Sequence, residues 1–326
     1  MKAIVKFHSA LLLVSAITLG QPVLAANDPL VEKTKTISKT YPVSSSDQID
    51  LSNSFGEMKI STWNKNEVKV DIVITTEAGT EERAQELLDA ISVNDGKSGN
   101  RIYFKTKVGD NSSSNKRGKG EKQSFRINYT VFLPDNANLD ATNEFGPMSI
   151  GDFNGKGDFT NRFGSFTAGK LNNPMVNVEF GKANIESINN GGNITIKFSR
   201  AIIGGMSGDI RASFEHCNGI KIKLNNDLKS IDVRNAFSPL YVDVPTNFSA
   251  RYDVRTSFSK LKNNTSFSIP EEGEDDRGPK FDHRYNGSSG SGSANIKIKS
   301  EFKDVSIGHN QTFDVNSDDK KKAKDI

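Results

Sequence analysis

Cysteine is almost absent from this 326-residue chain, which contains only Cys217. A single cysteine excludes a disulfide within the chain, so buried apolar surface and hydrogen bonds must hold the fold together. Cys217 lies in an apolar column of a repeated motif described below. We therefore expect it to be a buried structural thiol rather than a nucleophile.

Residues that carry common chemistries are also scarce. The four histidines, His8, His216, His283 and His309, lack the spacing of metal ligands. The sequence contains neither a Gly-x-Ser-x-Gly nucleophile motif nor a complete phosphate-binding Gly-x-x-x-x-Gly-Lys-Ser/Thr motif, since Ile91 stands where the first glycine would precede Gly96-Lys-Ser98. We assign no catalytic residue, no metal site and no cofactor. With 43 Lys and Arg against 40 Asp and Glu, the chain is less basic than most nucleic-acid-binding proteins, and no nucleic-acid partner is predicted.

The first 25 residues have the pattern of a secretory signal. Lys2 and Lys6 precede an apolar run, and the small-residue motif Val23-Leu-Ala25 follows it. The run is too short for a transmembrane helix, and the remaining chain has no other long apolar run. The sequence predicts an exported protein, periplasmic or at the cell surface, with no transmembrane segment after cleavage.

A phenylalanine motif recurs along the rest of the chain. Each copy begins with an apolar residue. A small polar residue stands two positions after it, a Phe two positions after the polar residue, and Gly or Ser directly after the Phe. The phenylalanines are Phe55, Phe145, Phe163 and Phe180, and in looser form Phe198, Phe214, Phe237, Phe258 and Phe302. From Phe145 to Phe214 the spacing is 16 to 18 residues, which is typical of one turn of a solenoid.

The positions four before and three after each Phe are also apolar, as at Leu51 and Met58. Alternation along a strand predicts that the Phe side chains point inward and form a ladder in the core. The next residue, such as Gly56, would then be the corner. We predict a mainly β fold, a β-solenoid with an N-terminal α+β segment. A sandwich of hairpins is the alternative interpretation.

Four segments follow from these patterns. Residues 1–25 are the signal, 26–139 an α+β segment with the first copy of the motif, 140–313 the solenoid repeats, and 314–326 a charged disordered tail. The α+β segment has an alternating strand over 68–74 and an amphipathic helix over 80–91. A polar Gly-containing stretch, residues 109–124, is predicted to be a loop.

The phrases IDLSNSFGEMKISTWNKNEVKVDIVI, EERAQELLDAI and INYTVFLPDNANLDATNEFGPMSIG, followed by Phe-Gly repeats, resemble exported bacterial proteins called putative adhesins. The resemblance covers nearly all of the chain after the signal. It implies a β-solenoid and no catalytic residues, since that family has no assigned chemistry. Gly is lost from the later copies, and residues 271–276 are acidic, so the resemblance is weaker there.

The candidate binding residues are three Asp-x-Arg pairs: Asp209 with Arg211, Asp232 with Arg234, and Asp253 with Arg255. We expect them to occupy the same place in three successive turns, with Asp50, Asp140 and Asp158 in the same Asp column. In one interpretation each Arg neutralises an Asp in a solvated ladder of weak ion pairs. In the other the arginines form a stripe for an anionic polymer, because Arg suits carboxylate or phosphate recognition. The sequence favours the neutralised ladder.

The sequence thus predicts a non-enzymatic binding, adhesion or structural protein outside the cytoplasm. An envelope glycan, an envelope protein or a second copy of the chain are the candidate partners. One alternative is a polysaccharide-processing enzyme, which rests on fold analogy alone. Another is a component of envelope signalling with a protein partner.

Overall fold

A computed structural model describes residues 29–109, 122–273 and 281–310. The predicted signal, the tail over 314–326 and most of the predicted loop over 109–124 lie outside the described residues. The described chain is mainly β with one helix, which confirms the predicted mainly β class.

The first elements are β1 (Val31–Pro42), β2 (Gln48–Ser54), β3 (Met58–Trp63), β4 (Glu67–Ala78), α1 (Glu81–Asp89), β5 (Ile91–Ser98), β6 (Arg101–Val108), β7 (Gln123–Pro134), β8 (Asn138–Glu144), β9 (Met148–Ile150) and β10 (Gly157–Arg162). They are followed by β11 (Ser165–Asn172), β12 (Met175–Glu179), β13 (Lys182–Asn189), β14 (Gly192–Lys197), β15 (Arg200–Glu215) and β16 (Gly219–Ala236). The last are β17 (Leu240–Asp243), β18 (Ala250–Ser257), β19 (Leu261–Asn264), β20 (Asp282–Ser289), β21 (Ala294–Glu301) and β22 (Val305–Gly308).

The helix α1 begins as the sequence predicts. The side chain of Thr80 caps it by accepting a hydrogen bond from the backbone N–H of Arg83 at 3.2 Å. Glu81 and Glu82 lie in its first turn, where the helix dipole favours negative charge. Its buried residues are Ala84, Leu87 and Leu88, which form the apolar face seen in the sequence.

The strands form two stacks, which we call the first and the second stack. The first runs β5–β6–β2–β8–β10–β12–β14–β15–β16–β21–β18–β20, and the second runs β1–β4–β7–β3–β9–β11–β13–β15–β16–β17–β22–β19. Pairing within each stack is parallel except at the ends, where β5, β20, β1 and β4 are antiparallel, and its register is regular except between Ile203 and Asp209 of β15. A strand of the first stack, a corner and a strand of the second stack make up one rung.

The two stacks share one hydrophobic core. Phe159 on β10 contacts Phe166 on β11, with ring centroids 5.6 Å apart. The apolar positions four before and three after each motif Phe are buried, except that Leu261 is half-buried. Each fully buried Leu, Val or Phe contributes about 1.5–3 kcal/mol relative to an exposed one. The core explains how the fold does without disulfides.

The corner of each rung is the phenylalanine itself, not the residue after it. The backbone is left-handed there, with φ of 55° at Phe163 and Phe180 and 48° at Phe198. This conformation breaks the strand alternation that would carry the ring inward. The motif phenylalanines other than Phe214 are instead 38 to 58 % exposed. The prediction of a buried Phe ladder was therefore wrong.

One rung departs from the phenylalanine pattern. Phe214 is buried, and His216 takes the corner with φ of 52°. The imidazole stacks between Phe198 and Phe237, at centroid distances of 5.2 and 4.7 Å. An aromatic ring is thus kept at every corner, although this one is not phenylalanine.

Glycine after the corner is required for close approach of two backbones. A Cβ at Gly164 would lie 2.0 Å from the carbonyl oxygen of Gly146, and one at Gly181 only 1.8 Å from that of Gly164. In the next rung Ser199 replaces glycine. Its Oγ donates to the Lys197 carbonyl at 2.6 Å and accepts from the Gly181 N–H at 2.9 Å.

Cys217 occupies this same position after a corner. Its Sγ lies 3.4 Å from the Glu215 carbonyl, and its N–H donates to Ser238 Oγ at 2.9 Å. The sequence placed Cys217 in the apolar column three residues after a motif phenylalanine, and that was wrong, because the corner of this rung is His216 and not Phe214. Cys217 is nevertheless buried, and that burial raises the pKa of its thiol.

Buried polar side chains two residues before the corner hold several turns closed. Asn143 Nδ2 donates to the Gly146 carbonyl at 3.0 Å, and Asn235 Nδ2 donates to the Ser238 carbonyl at 2.7 Å. This explains the small polar residue in the motif, since the turn carbonyl would otherwise be buried without a partner.

The rung order differs from the chain order at the C-terminal end. The rung of β21 and β22 is last in the chain, but it lies between the rung of β16 and β17 and the rung of β18 and β19. Because β21 lies between β16 and β18, its charged residues are the neighbours of those on both strands.

Candidate functional site

The three Asp-x-Arg pairs do not occupy equivalent places. Arg211 on β15 lies opposite Asp232 on β16, and Ser213 lies opposite Arg234. The Asp209–Arg211 pair is thus displaced by two residues relative to the Asp232–Arg234 pair. The displacement arises because the corner of this rung is His216, which lies two residues after Phe214 and aligns with Phe237. The prediction of three equivalent pairs was wrong.

The inserted strand β21 separates the other two pairs. Lys297 lies between Asp232 and Asp253, while Lys299 lies between Arg234 and Arg255. On the far side of β18, Arg284 of the antiparallel strand β20 lies opposite Arg255. Four neighbouring strands therefore carry basic residues in one column. We call Arg234, Lys299, Arg255 and Arg284 the basic column.

Carboxylates beside the basic column neutralise part of it. Asp253 pairs with Arg255 at 3.2 Å and lies 3.8 Å from Arg284. Glu301 pairs with Lys299 at 3.0 Å. In the part of the chain that the structure describes, Arg234 has no ion-pair partner, and neither does Arg211.

A groove of about 550 Å³ follows the basic column across β16, β21 and β18. Arg234, Arg255, Lys297 and Lys299 line it, with Asp232 and Glu301 among the acidic lining residues. A second groove of about 330 Å³ contains Arg211 and again Arg234. The two grooves adjoin at Arg234, the basic side chain common to both.

The acidic part of the predicted column lies at the other end of the first stack. Asp50, Asp140 and Asp158 occupy one register position on β2, β8 and β10, as expected. Burial raises the pKa of Asp140, and the neighbouring carboxylates of Asp158 and Asp50 raise it further. Arg101 forms an ion pair with Asp50. Met175 and Asn193 continue this column toward Arg211.

The exposed corner rings form a second surface feature, which we call the aromatic ladder. Neighbouring rings are nearly parallel, with centroids 4.8 Å apart for Phe145 and Phe163 and 4.3 Å apart for Phe237 and Phe302. In stacking order the ladder is Phe55, Phe145, Phe163, Phe180, Phe198, His216, Phe237, Phe302 and Phe258.

Sequence reasoning missed two parts of this surface. Lys297 and Lys299 belong to the site because β21 inserts between β16 and β18. Their alternation with Ile296 and Ile298 did mark them as outward-facing, but the rung order carried no local signal. The exposed corners were missed because a left-handed phenylalanine is rare.

Within the described ranges, no group of three His, Cys, Asp or Glu side chains is arranged to hold a metal ion. Nor does the described part contain a helix long and apolar enough to cross a membrane. No protein-family model matches the chain, and no curated protein matches it.

Several solved structures are similar to this chain at low identity. One, described as a putative cell adhesion protein from Clostridium sporogenes, is 14 % identical, with 85 % of this chain and 100 % of that chain covered and a TM-score of 0.25. A putative adhesin from Bacteroides fragilis is 11 % identical, with 84 % and 97 % covered and a TM-score of 0.46. A putative lipid binding protein from Parabacteroides distasonis is 10 % identical, with 83 % and 96 % covered and a TM-score of 0.26.

Proposed function

We propose that this chain is an exported, non-enzymatic binding protein, a β-solenoid whose basic column holds an anionic polymer such as an acidic envelope glycan. Export rests on the signal pattern in residues 1–25. The solenoid assignment rests on the two parallel stacks and their shared core. The binding surface rests on the charges of the first stack.

The observation that carries the proposal is the position of Arg234, Lys299 and Arg255 on three consecutive strands in register. Strands in a sheet are about 4.8 Å apart, so these cations repeat at that interval along one line. A polymer with a negative charge on each unit can contact several of them at once. The planar guanidinium of Arg also suits bidentate contact with carboxylate or sulfate oxygens.

The interpretation as a neutralised ladder accounts for only part of this surface. It fits Arg255, which pairs with Asp253, and Lys299, which pairs with Glu301. It does not fit Arg211 and Arg234, which have no carboxylate partner in the described chain. Both are exposed and line the two adjoining grooves, so they are available to an anionic ligand.

Retention on a heparin matrix and on an immobilised polygalacturonate matrix tests the proposal. We expect the chain to be retained at low salt and released as added salt screens the contacts. The variant Arg234→Gln/Lys299→Gln should elute much earlier with an unchanged thermal melt. A matched control, Lys59→Gln/Lys223→Gln, removes two exposed charges from the second stack and should elute like the wild type.

Two results would contradict the proposal: no retention of the wild type, or equal losses in the site variant and its control. Shortening of the polymer during incubation would favour a polysaccharide-processing enzyme instead. Stoichiometric co-purification of an envelope protein would favour the signalling alternative.

A further inference from the structure

We propose that the aromatic ladder is a self-association surface, on which two copies of this chain pack antiparallel about a two-fold axis between Phe198 and His216. The aromatic ladder borders the groove of the basic column at Glu301, but the inference does not depend on the proposed function.

The ladder exposes more apolar surface than a soluble monomer normally does. Its eight phenylalanines are each 38 to 58 % exposed and, together with His216, lie in one continuous row. At about 4.8 Å per strand, nine rings span roughly 40 Å. Contiguous apolar patches of this kind mark interaction sites, because leaving them in water is unfavourable.

The shape of the ladder restricts what can cover it. Each ring face is covered by the next ring. The two terminal rings, Phe55 and Phe258, contact Phe125 and Phe281 respectively. Only the ring edges face outward, as a flat apolar ribbon with a period of 4.3 to 5.3 Å. A partner that contacts every ring needs the same period. Within the described residues, the surface that combines this period with apolar character is the ladder itself. A ladder packed on a second ladder is an isologous contact, closed by a two-fold axis.

The charges on both sides of the ladder select one register. The leading flank consists of the residues immediately before each ring, in stacking order Ser54, Glu144, Arg162, Glu179, Lys197, Glu215, Ala236, Glu301 and Ser257. The trailing flank consists of the residues two positions after each ring, in the same order Glu57, Pro147, Ser165, Lys182, Arg200, Asn218, Pro239, Asp304 and Lys260. A two-fold axis across the ladder places each flank opposite itself in reverse order.

With the axis between Phe198 and His216, the leading flanks are complementary. Lys197 faces Glu215 of the second copy, and Arg162 faces Glu301 of the second copy. The two remaining leading pairs each contain an uncharged residue.

The trailing flanks place no like charges opposite each other in this register. Arg200 faces Asn218 of the second copy, and Asp304 faces Ser165. Moving the axis by half a rung spacing, so that Phe198 faces itself, keeps none of these pairings. Moving it a full rung spacing, between Phe180 and Phe198, brings Lys182 opposite Arg200. Like charges across an interface are unfavourable, so the first register is selected.

Charge reversal tests both the dimer and its register. By sedimentation equilibrium, we expect the wild type to be a dimer in reversible exchange with monomer. Arg162→Glu and Glu301→Arg should each raise the dimer dissociation constant at least tenfold. The double variant should restore it toward the wild-type value. Arg162 and Glu301 are five strands apart within one chain, about 24 Å, so restoration must act between copies.

Both single variants also remove ion pairs within the chain, with Glu144 and Glu179 for Arg162 and with Lys299 for Glu301. A matched control is Glu186→Arg on the second stack, which removes its pair with Lys170 and should leave dimerisation unchanged. Thermal melts of all variants report the fold separately.

Three outcomes would overturn the proposal: a monomer at the highest soluble concentration, a dimer unaffected by either reversal, or a double variant no tighter than the single variants. Binding of the monomeric chain to vesicles of neutral phosphatidylcholine would also overturn it, because the ladder would then cover a lipid surface.

Discussion

The side chain of Asn53 donates a hydrogen bond to Asn143 Oδ1 at 3.0 Å in the interior of the protein. The two asparagines belong to the first two copies of the motif, which are separated in the chain by the helix-bearing segment. Asn143 Nδ2 in turn donates to the carbonyl oxygens of Gly56 and Gly146, at 3.0 Å each. One buried amide therefore joins two rungs and two corners.

Replacing that amide should be costly. We expect Asn143→Leu to lower the free energy of unfolding by about 2–4 kcal/mol, because buried carbonyls lose their donor. The matched control is Asn161→Leu in the next rung. The side-chain amide of Asn161 is buried and makes no hydrogen bond in the structure, so this change should be neutral or stabilising. Chemical denaturation of both variants checks the contrast, and equal losses would contradict it.

The glycines after the corners should not tolerate a side chain. In Gly164→Ala the new Cβ would lie 2.0 Å from the Gly146 carbonyl oxygen, and the neighbouring rung would have to move. We expect a loss of about 1–3 kcal/mol in a denaturant melt, as in overpacked cores. Gly151→Ala has open space around it and should change the melt by less than about 0.5 kcal/mol.

Corner and core phenylalanines should differ in their contribution to stability. Phe166→Ala removes a buried ring and should cost about 3–5 kcal/mol. Phe180→Ala removes a half-exposed ring with two stacked neighbours and should cost about 1–3 kcal/mol, measured at a concentration where the chain is monomeric. A larger loss at Phe180 than at Phe166 would mean that the corner rings, not the interior, carry the packing.

The acidic column should make stability depend on pH. The pKa of Asp140 is raised, so the folded chain holds this proton more tightly than the unfolded chain does. Its contribution to stability is then most favourable in acid and declines as the pH rises from 3.8 through the raised pKa. We expect Asp140→Asn to raise the melting temperature at neutral pH and to change it little well below pH 3.8.

Asp47 provides the opposite case. A hydrogen bond from Lys97 and another from the backbone N–H of Ser44 lower the pKa of Asp47. Its stabilising contribution is present above pH 3.8 and is lost as the pH falls through the lowered pKa. Asp47→Asn should therefore lower the melting temperature at neutral pH. Melts of both variants across the acid range should show opposite signs.

Cys217 should react with thiol reagents only after unfolding. It is buried, and its pKa is raised by that burial, so little thiolate is present or reachable at neutral pH. Cys217→Ser should fold normally, because Ser199 and Ser238 occupy the same position and bond the carbonyl two residues earlier. Rapid labelling of the native chain would contradict the burial.

The sequence was sufficient for the features set by local pattern. The recurrence of the phenylalanine motif predicted the repeat, alternation predicted the buried positions around Leu51 and Met58, and the amphipathic pattern over 80–91 predicted α1. These features depend on residues close together in the chain, where periodicity and capping act directly.

What the sequence did not show depends on backbone conformation and on long-range order. A phenylalanine with φ near 55° contradicts ordinary strand geometry, so Phe163 and Phe180 were placed inside the core. The neighbours of Arg234 depend on which rung lies beside β16, and nothing local to Arg234 or Lys299 encodes that choice. The candidate site could therefore be predicted by residue type but not by arrangement.

The insertion of β21 and β22 makes the order of synthesis differ from the order of the rungs in the stacks. Strand β21 is the neighbour that β16 and β18 share, and it exists only when residues 294–301 have been synthesised. A chain terminated before Ala294 would not merely lack an end rung, since β16 and β18 would both expose unpaired strand edges in the middle of the stack. The strands between residues 294 and 308 therefore complete the interior of both stacks rather than one end of them.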